Sequence, residues 1–213
     1  MKNNKKKYAL LIILILFIAF FSSQCMMTRT NTESKKTVAV ILPYTYNKEN
    51  SRILDAIRDY AYNNSIILDV WHEKSLSSNE LSSIIANEEQ NHAIGILLIY
   101  PENYLTQQEK HYDYNNVLAI TDTMQSSFSH HASFETSPSP SYLLPVSARV
   151  IKKVHEGKTD CIYIKNTYKL GYESIQMLDT YSRNKHMKDI SIPCQKVDKA
   201  AIESGELDSL LTN

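Results

Sequence analysis

Glycine is scarce in this chain: Gly95, Gly157, Gly171 and Gly205 are the only four in 213 residues. That leaves no Gly-rich loop to cradle a phosphate, no GxGxxG and no Walker motif, all of which use glycine for tight turns and close backbone approach. A nucleotide-dependent enzyme is therefore not expected. Cysteine is nearly as rare. Cys25, Cys161 and Cys194 stand far apart, with no CxxC and no His/Cys cluster at ligand spacing, so no metal site is indicated. Cys161 and Cys194 read as small apolar fillers on strands, although export would permit a disulfide. An excess of one charge is missing too. The 23 Lys and Arg balance 23 Asp and Glu, so no basic face for nucleic acid is implied. Catalytic signatures are absent as well: there is no GxSxG and no HExxH, and the SxxK spacing from Ser182 to Lys185 lacks its companion motifs. Glu88-Glu89 reads as part of a solvated helix face. No enzymatic activity and no cofactor are expected.

What is present begins at the amino end. Lys2, Lys5, Lys6 and Lys7 precede an unbroken apolar run over residues 8–21. A basic start followed by an apolar stretch is the pattern of a secretory signal or signal anchor, with the lysines held on the cytoplasmic side. Extension through Met27 brings the run to the roughly 20 residues that span a bilayer. Three readings stay open: an uncleaved anchor, a lipoprotein signal acylated at Cys25, and release after cleavage. In each, the rest of the chain lies outside the cytoplasm. The sequence divides into a signal or anchor over 1–27, a polar tether over 28–36, and an organised part beyond.

In the organised part, short apolar runs alternate with helical periodicity. Residues 37–42 are a β-branched run stopped by Pro43. A helix follows, with Asn50-Ser51 as the expected cap and Ile53, Leu54, Ile57, Tyr60 and Ala61 on one face. Asn63-Asn64 should end it. Strands over 66–71, 94–100 and 117–120 alternate with a helix from Ser78 to about His92 and a short polar turn region. Strands that are apolar throughout, interrupted mainly by Asp69, imply an α/β fold: a parallel sheet covered by helices on both faces. Residues 124–141 are polar and carry Pro138 and Pro140, so they read as a hinge or crossover. His130-His131 within it reads as solvated. A helix over 142–155, a strand over 161–164, a helix over 170–183, an edge strand over 190–197 interrupted by Pro193, and a last helix from Lys199 complete the order.

This order resembles the type I periplasmic-binding-protein family, the LacI-like and sugar-transporter solute-binding proteins. The resemblance rests on TVAVILPYTYNKENSRILDAIRDYA, with Ala56 and Ala61 at its small helical positions, on GILLIYP as third strand, and on VLAITD as fourth. It implies a first lobe over 37–123, a hinge over 124–141 and a partial second lobe over 142–213. That partial lobe would reflect a truncated reading frame or a shortened derivative, and would leave a sheet edge uncovered. It further implies that a small ligand, with a sugar as one candidate, binds between the lobes for a transporter permease or membrane sensor. In open α/β sheets ligands lie beyond the carboxyl ends of strands. The expected ligand-binding residues are Tyr44, Tyr46, Asn47, Trp71, Tyr100, Asp122 and Tyr168. Aromatic rings would stack on a sugar face, and carboxylate or amide oxygens would accept its hydroxyl protons. The competing expectation is a protein-interaction module with no small ligand. Both are placed at the extracytoplasmic face of the cell membrane.

Overall fold

The computed structural model describes residues 35–45, 47–106, 111–122, 127–135 and 148–205. The apolar leader, Cys25 and nearly all of the tether lie outside these residues. Among the described residues, no helix is long and apolar enough to cross a membrane.

Strand β1 (Lys36–Pro43) is the core of the molecule. Its β-branched residues pack on both sides of the sheet: Val38, Val40 and Leu42 enter one apolar cluster, Ala39 and Ile41 the other. The period of two along a strand produces this division. β1 pairs in parallel with β2 (Ile66–Glu73) on one side and β3 (Gly95–Ile99) on the other. β3 continues in parallel to β4 (Val117–Ile120). β2 is the sheet's edge, which explains why Asp69 is tolerated there: it stays exposed.

Helix α1 (Lys48–Asn63) covers the first cluster with Ile53, Leu54, Ile57, Tyr60 and Ala61. Its cap is Asn47, whose side chain accepts the Asn50 N–H at 2.7 Å. Asn50 itself is inside the helix and buried, so the expected cap at Asn50-Ser51 is corrected by three residues. Helix α2 (Ser78–Gln90) covers the other face through Leu81 and Ile85, and a reciprocal Ser77–Glu80 capping box starts it. Glu88 is 1% exposed, contrary to the expected solvated face. Burial, then the Asp69 charge, pushes its carboxyl above the usual range.

Three further differences follow the same logic of covering a parallel sheet. Strand β5 (His131–Phe134) lies within the stretch expected to be a hinge. Its Ser and His content hides it in the sequence, yet Ala132, Ser133 and Phe134 are all buried. Pairing to β4 on one side and to β7 (Ile190–Ile192) on the other makes it a strand. The strand expected over 190–197 is two strands. Proline lacks an N–H for the ladder, and at Pro193 the chain leaves the main sheet. It then forms β8 (Gln195–Asp198), antiparallel to β6 (Cys161–Ile164). The main sheet order is therefore β2-β1-β3-β4-β5-β7.

Helix α3 (Ala148–His155) and helix α5 (Lys199–Glu203) join β6 and β8 in a small unit around Val154, Ile162, Ile164 and Val197. Helix α4 (Thr167–Asn184) goes elsewhere. It packs against α1, and Leu170, Ile175 and Leu178 enter the main cluster. Residues 167–192, expected in a second lobe, thus belong to the first sheet, because α4 and β7 complete its covering face and far edge. Cys161 and Cys194 are free, half-buried thiols.

Two contacts fix α4. A Cβ on Gly171 would lie 2.5 Å from the Ile53 carbonyl oxygen, so only glycine permits this helix approach. Lower on α4, Asp179 is 3% exposed. Its carboxylate accepts from Lys36 Nζ at 2.7 Å, Tyr60 OH at 3.2 Å and Arg183 at 2.8 Å. Burial alone would raise the Asp179 pKa, but these donors hold it below the usual carboxylate range. Burial and the adjacent Asp179 push the Tyr60 phenol up to about 12.

Gly171→Ala is expected to lower stability by roughly 1–3 kcal/mol through overpacking, despite the better helix propensity of alanine. Urea denaturation checks this, and an unchanged or raised midpoint would refute it. Asp179→Ala should cost about 2–3 kcal/mol, because Lys36 and Arg183 can turn to water but the Tyr60 hydroxyl loses its acceptor. Asp179 has a depressed folded pKa, so its contribution is present above the unfolded carboxyl range. It is lost as pH falls through the folded value. Asp179→Asn should flatten that acid limb of the stability profile.

Candidate functional site

The carboxyl ends of the inner strands collect polar groups. Beyond β3, Tyr100 enters the left-handed region at φ 48° and opens a short 3₁₀ turn, Pro101–Asn103. Such a conformation costs a non-glycine residue energy, and the packing around Tyr100 must hold it. The Tyr100 ring is 3% exposed, and its hydroxyl donates to Glu49 in the first turn of α1 at 3.0 Å. Burial, followed by the Glu49 charge, pushes this phenol far above its ordinary pKa, so it remains a proton donor.

Glu102 accepts the Asp122 N–H at 3.3 Å, joining the tips of β3 and β4. Burial raises the Glu102 carboxyl pKa. Asp122 is paired with Lys165 at 3.2 Å, and Lys165 lies on the passage from β6 to α4. The same ammonium sits 5.2 Å from the Phe134 ring centroid at the end of β5. Beside it the Cys194 thiol contacts the Glu135 carbonyl at 3.5 Å, on the passage from β7 to β8. Burial pushes this thiol up, with Lys165 opposing. The tips of β3, β4 and β5 therefore meet both described passages into the small unit.

Chemically this is a cluster of carboxylate acceptors around one ammonium donor, with the Phe134 ring buried beside it. It suits a ligand with several hydroxyl groups, each of which can donate and accept. The Asp122–Lys165 pair is partly exposed, so exchanging it for ligand contacts costs little.

Of the expected site residues, Asp122 belongs to this cluster directly, and Tyr100 supports it from beneath. Tyr44 is exposed at the tip of β1 with Lys74 Nζ 4.5 Å from its ring centroid. Asn47 is occupied as the α1 cap. Trp71 packs on the α2 face of the sheet with the Ala39 and Ile41 cluster. Tyr168 stands on α4, where its hydroxyl donates to Asp59 of α1 at 2.7 Å. It ties two helices together. Tyr46 lies outside the described residues. Glu49, Glu102 and Lys165 are not among the expected ligand contacts. Lys165 directly follows the apolar run CIYI, so the strand-end rule that selected Asp122 would have found it. A larger recess, about 560 Å³, lies at the opposite, amino ends of β3 and β4 and is lined by His92, Tyr114, Asn116 and Lys185. None of the tip residues lines it.

No family model matches the chain, and no curated protein matches it in sequence. Solved structures do. A carbohydrate transporter solute-binding protein from Agrobacterium radiobacter, in complex with D-arabinose, is 9% identical, with 83% of this chain and 99% of that one covered and a TM-score of 0.53. A mutant XylFII–LytSN complex is 8% identical, with 78% and 99% covered and a TM-score of 0.50. The chain thus has the type I periplasmic-binding-protein fold.

Tyr100→Phe deletes the hydroxyl and leaves Glu49 without its donor. Stability is expected to fall by roughly 1–2 kcal/mol with the circular dichroism spectrum unchanged. A loss below measurement error would mean that Glu49 is solvated in the native protein.

Proposed function

We propose that this protein is an extracytoplasmic, membrane-attached solute-binding protein that holds a small hydroxylated ligand, of the sugar class, at its strand tips. The observation that carries this reading is the Asp122–Lys165 pair. It joins the β4 tip to the passage into the small unit, with Glu102 and the Glu49–Tyr100 pair beside it. A ligand inserted there would touch the main sheet and the passage at once, and would bias the two parts toward a closed arrangement. Asp122 and Glu102 would accept hydroxyl protons and Lys165 would donate. The D-arabinose complex among the similar folds favours a sugar, and the XylFII–LytSN complex favours presentation to a protein partner such as a membrane sensor or transporter. The basic and apolar residues 1–27 supply the attachment. The role is binding, and no chemical step is required of the cluster.

Thermal denaturation of the full chain in detergent, against a panel of pentoses, hexoses and polyols, tests this reading. A ligand that binds only the native state must raise the midpoint by mass action. At least one sugar should do so, and Asp122→Ala and Lys165→Ala should remove the shift. A folded protein whose midpoint no member of the panel moves would instead be a protein-interaction module.

A further inference from the structure

A second recess, separate from the Asp122 cluster, lies at the tips of β1 and β2 against α1. It encloses about 150 Å³ and is lined by Leu42, Pro43, Tyr44, Thr45, Asn50, Ser51, Leu54, Arg58 and His72. Asn50 is its unusual member. The residue is 3% exposed, and among the described residues neither its Oδ1 nor its Nδ2 has a hydrogen-bond partner. An amide buried in this way is costly, because both its acceptor and its donors have given up water. Native proteins leave few such groups, and those they leave call for an explanation.

We infer that this recess is a second binding site, for a small hydroxycarboxylate. The chemistry of its lining selects that class. A hydroxyl group donates and accepts, so one that reached the Asn50 amide would satisfy both its ends. Leu42, Pro43 and Leu54 offer an apolar wall to a short carbon skeleton. The charged groups favour an anion. Among the described residues Arg58 is held only by an exposed contact to Asp55 at 3.5 Å, and its planar fork suits a carboxylate. His72 also lines the recess, and Lys74 stands over the Tyr44 ring at its rim. A dry cavity of such a volume accepts a benzene-sized molecule, which limits the ligand to about three to five carbons. Glu102, Asp122 and Lys165 do not line this recess, so the inference does not depend on the sugar reading. It also gives Tyr44 a place, as part of the wall and not of the Asp122 cluster.

Titration calorimetry of the full chain in detergent with D-glycerate tests it, with glycerol and propionate as the two halves of the pattern. Glycerate should bind at least tenfold tighter than either half. Asn50→Leu should abolish binding and raise the urea midpoint, since it removes a partnerless buried amide while keeping its bulk. Arg58→Gln should weaken glycerate at least fivefold, and Asp122→Ala should leave it unchanged. No heat with millimolar glycerate would overturn the inference. So would full binding by Asn50→Leu, or loss of binding in Asp122→Ala, which would move the ligand to the other cluster. A lowered midpoint for Asn50→Leu would show that the native amide is already satisfied, and would overturn the inference as well.

Discussion

The close approach of α4 to α1 governs the rest of the molecule. Parallel strands are linked by crossovers that must cover the sheet, so both faces of β1, β3 and β4 have to be buried. One face is closed by α1 together with α4, and the two helices meet where Gly171 lies on the Ile53 backbone. Asp179 then joins α4 to the first residue of β1, to Tyr60 of α1 and to its own last turn. Because α4 is placed so firmly, the segments on either side of it are positioned too. Lys165 precedes it and reaches Asp122; β7 follows it and pairs with β5.

That placement assembles the polar tips. Lys165 and Cys194 lie on the chain where it enters and leaves the α4–β7 segment, and both stand beside the ends of β4 and β5. The small unit of β6, β8, α3 and α5 is therefore attached to the main sheet beside the acidic groups of β3 and β4. The proposed binding role rests on this economy of parts. The residues that could grip a ligand are the same ones that link the two portions, and gripping it would alter how those portions sit. The recess at Asn50 is of another kind. It is a pocket between one helix and two strand tips, carrying an unpaired amide that the fold itself does not explain.

Much of the architecture was legible from the residues. The runs at 37–42, 66–71, 94–100 and 117–120 are β-branched or aliphatic and bounded by turn residues, and all four are strands of one parallel sheet. The face of α1 was legible from its spacing. β5 was not: HASF is short and polar, and only hydrogen bonding on both edges makes it a strand. Asn47, Trp71 and Tyr168 are expected as ligand contacts, but cap, core and helix–helix contact occupy them. Nothing in a one-dimensional pattern says whether a polar tip is already taken.

The sequence by itself determined the class of fold, the alternation of strand and helix, and the basic-then-apolar leader. Each of these depends on local periodicity or composition, which a chain carries wherever it goes. Tertiary structure alone decided that 167–192 returns to the first sheet, that Lys165 reaches Asp122, and that Asn50 is buried without a partner. Those outcomes turn on which surfaces remain uncovered once the sheet has formed, and the first of them joins residues more than a hundred positions apart, as with Tyr60 and Asp179.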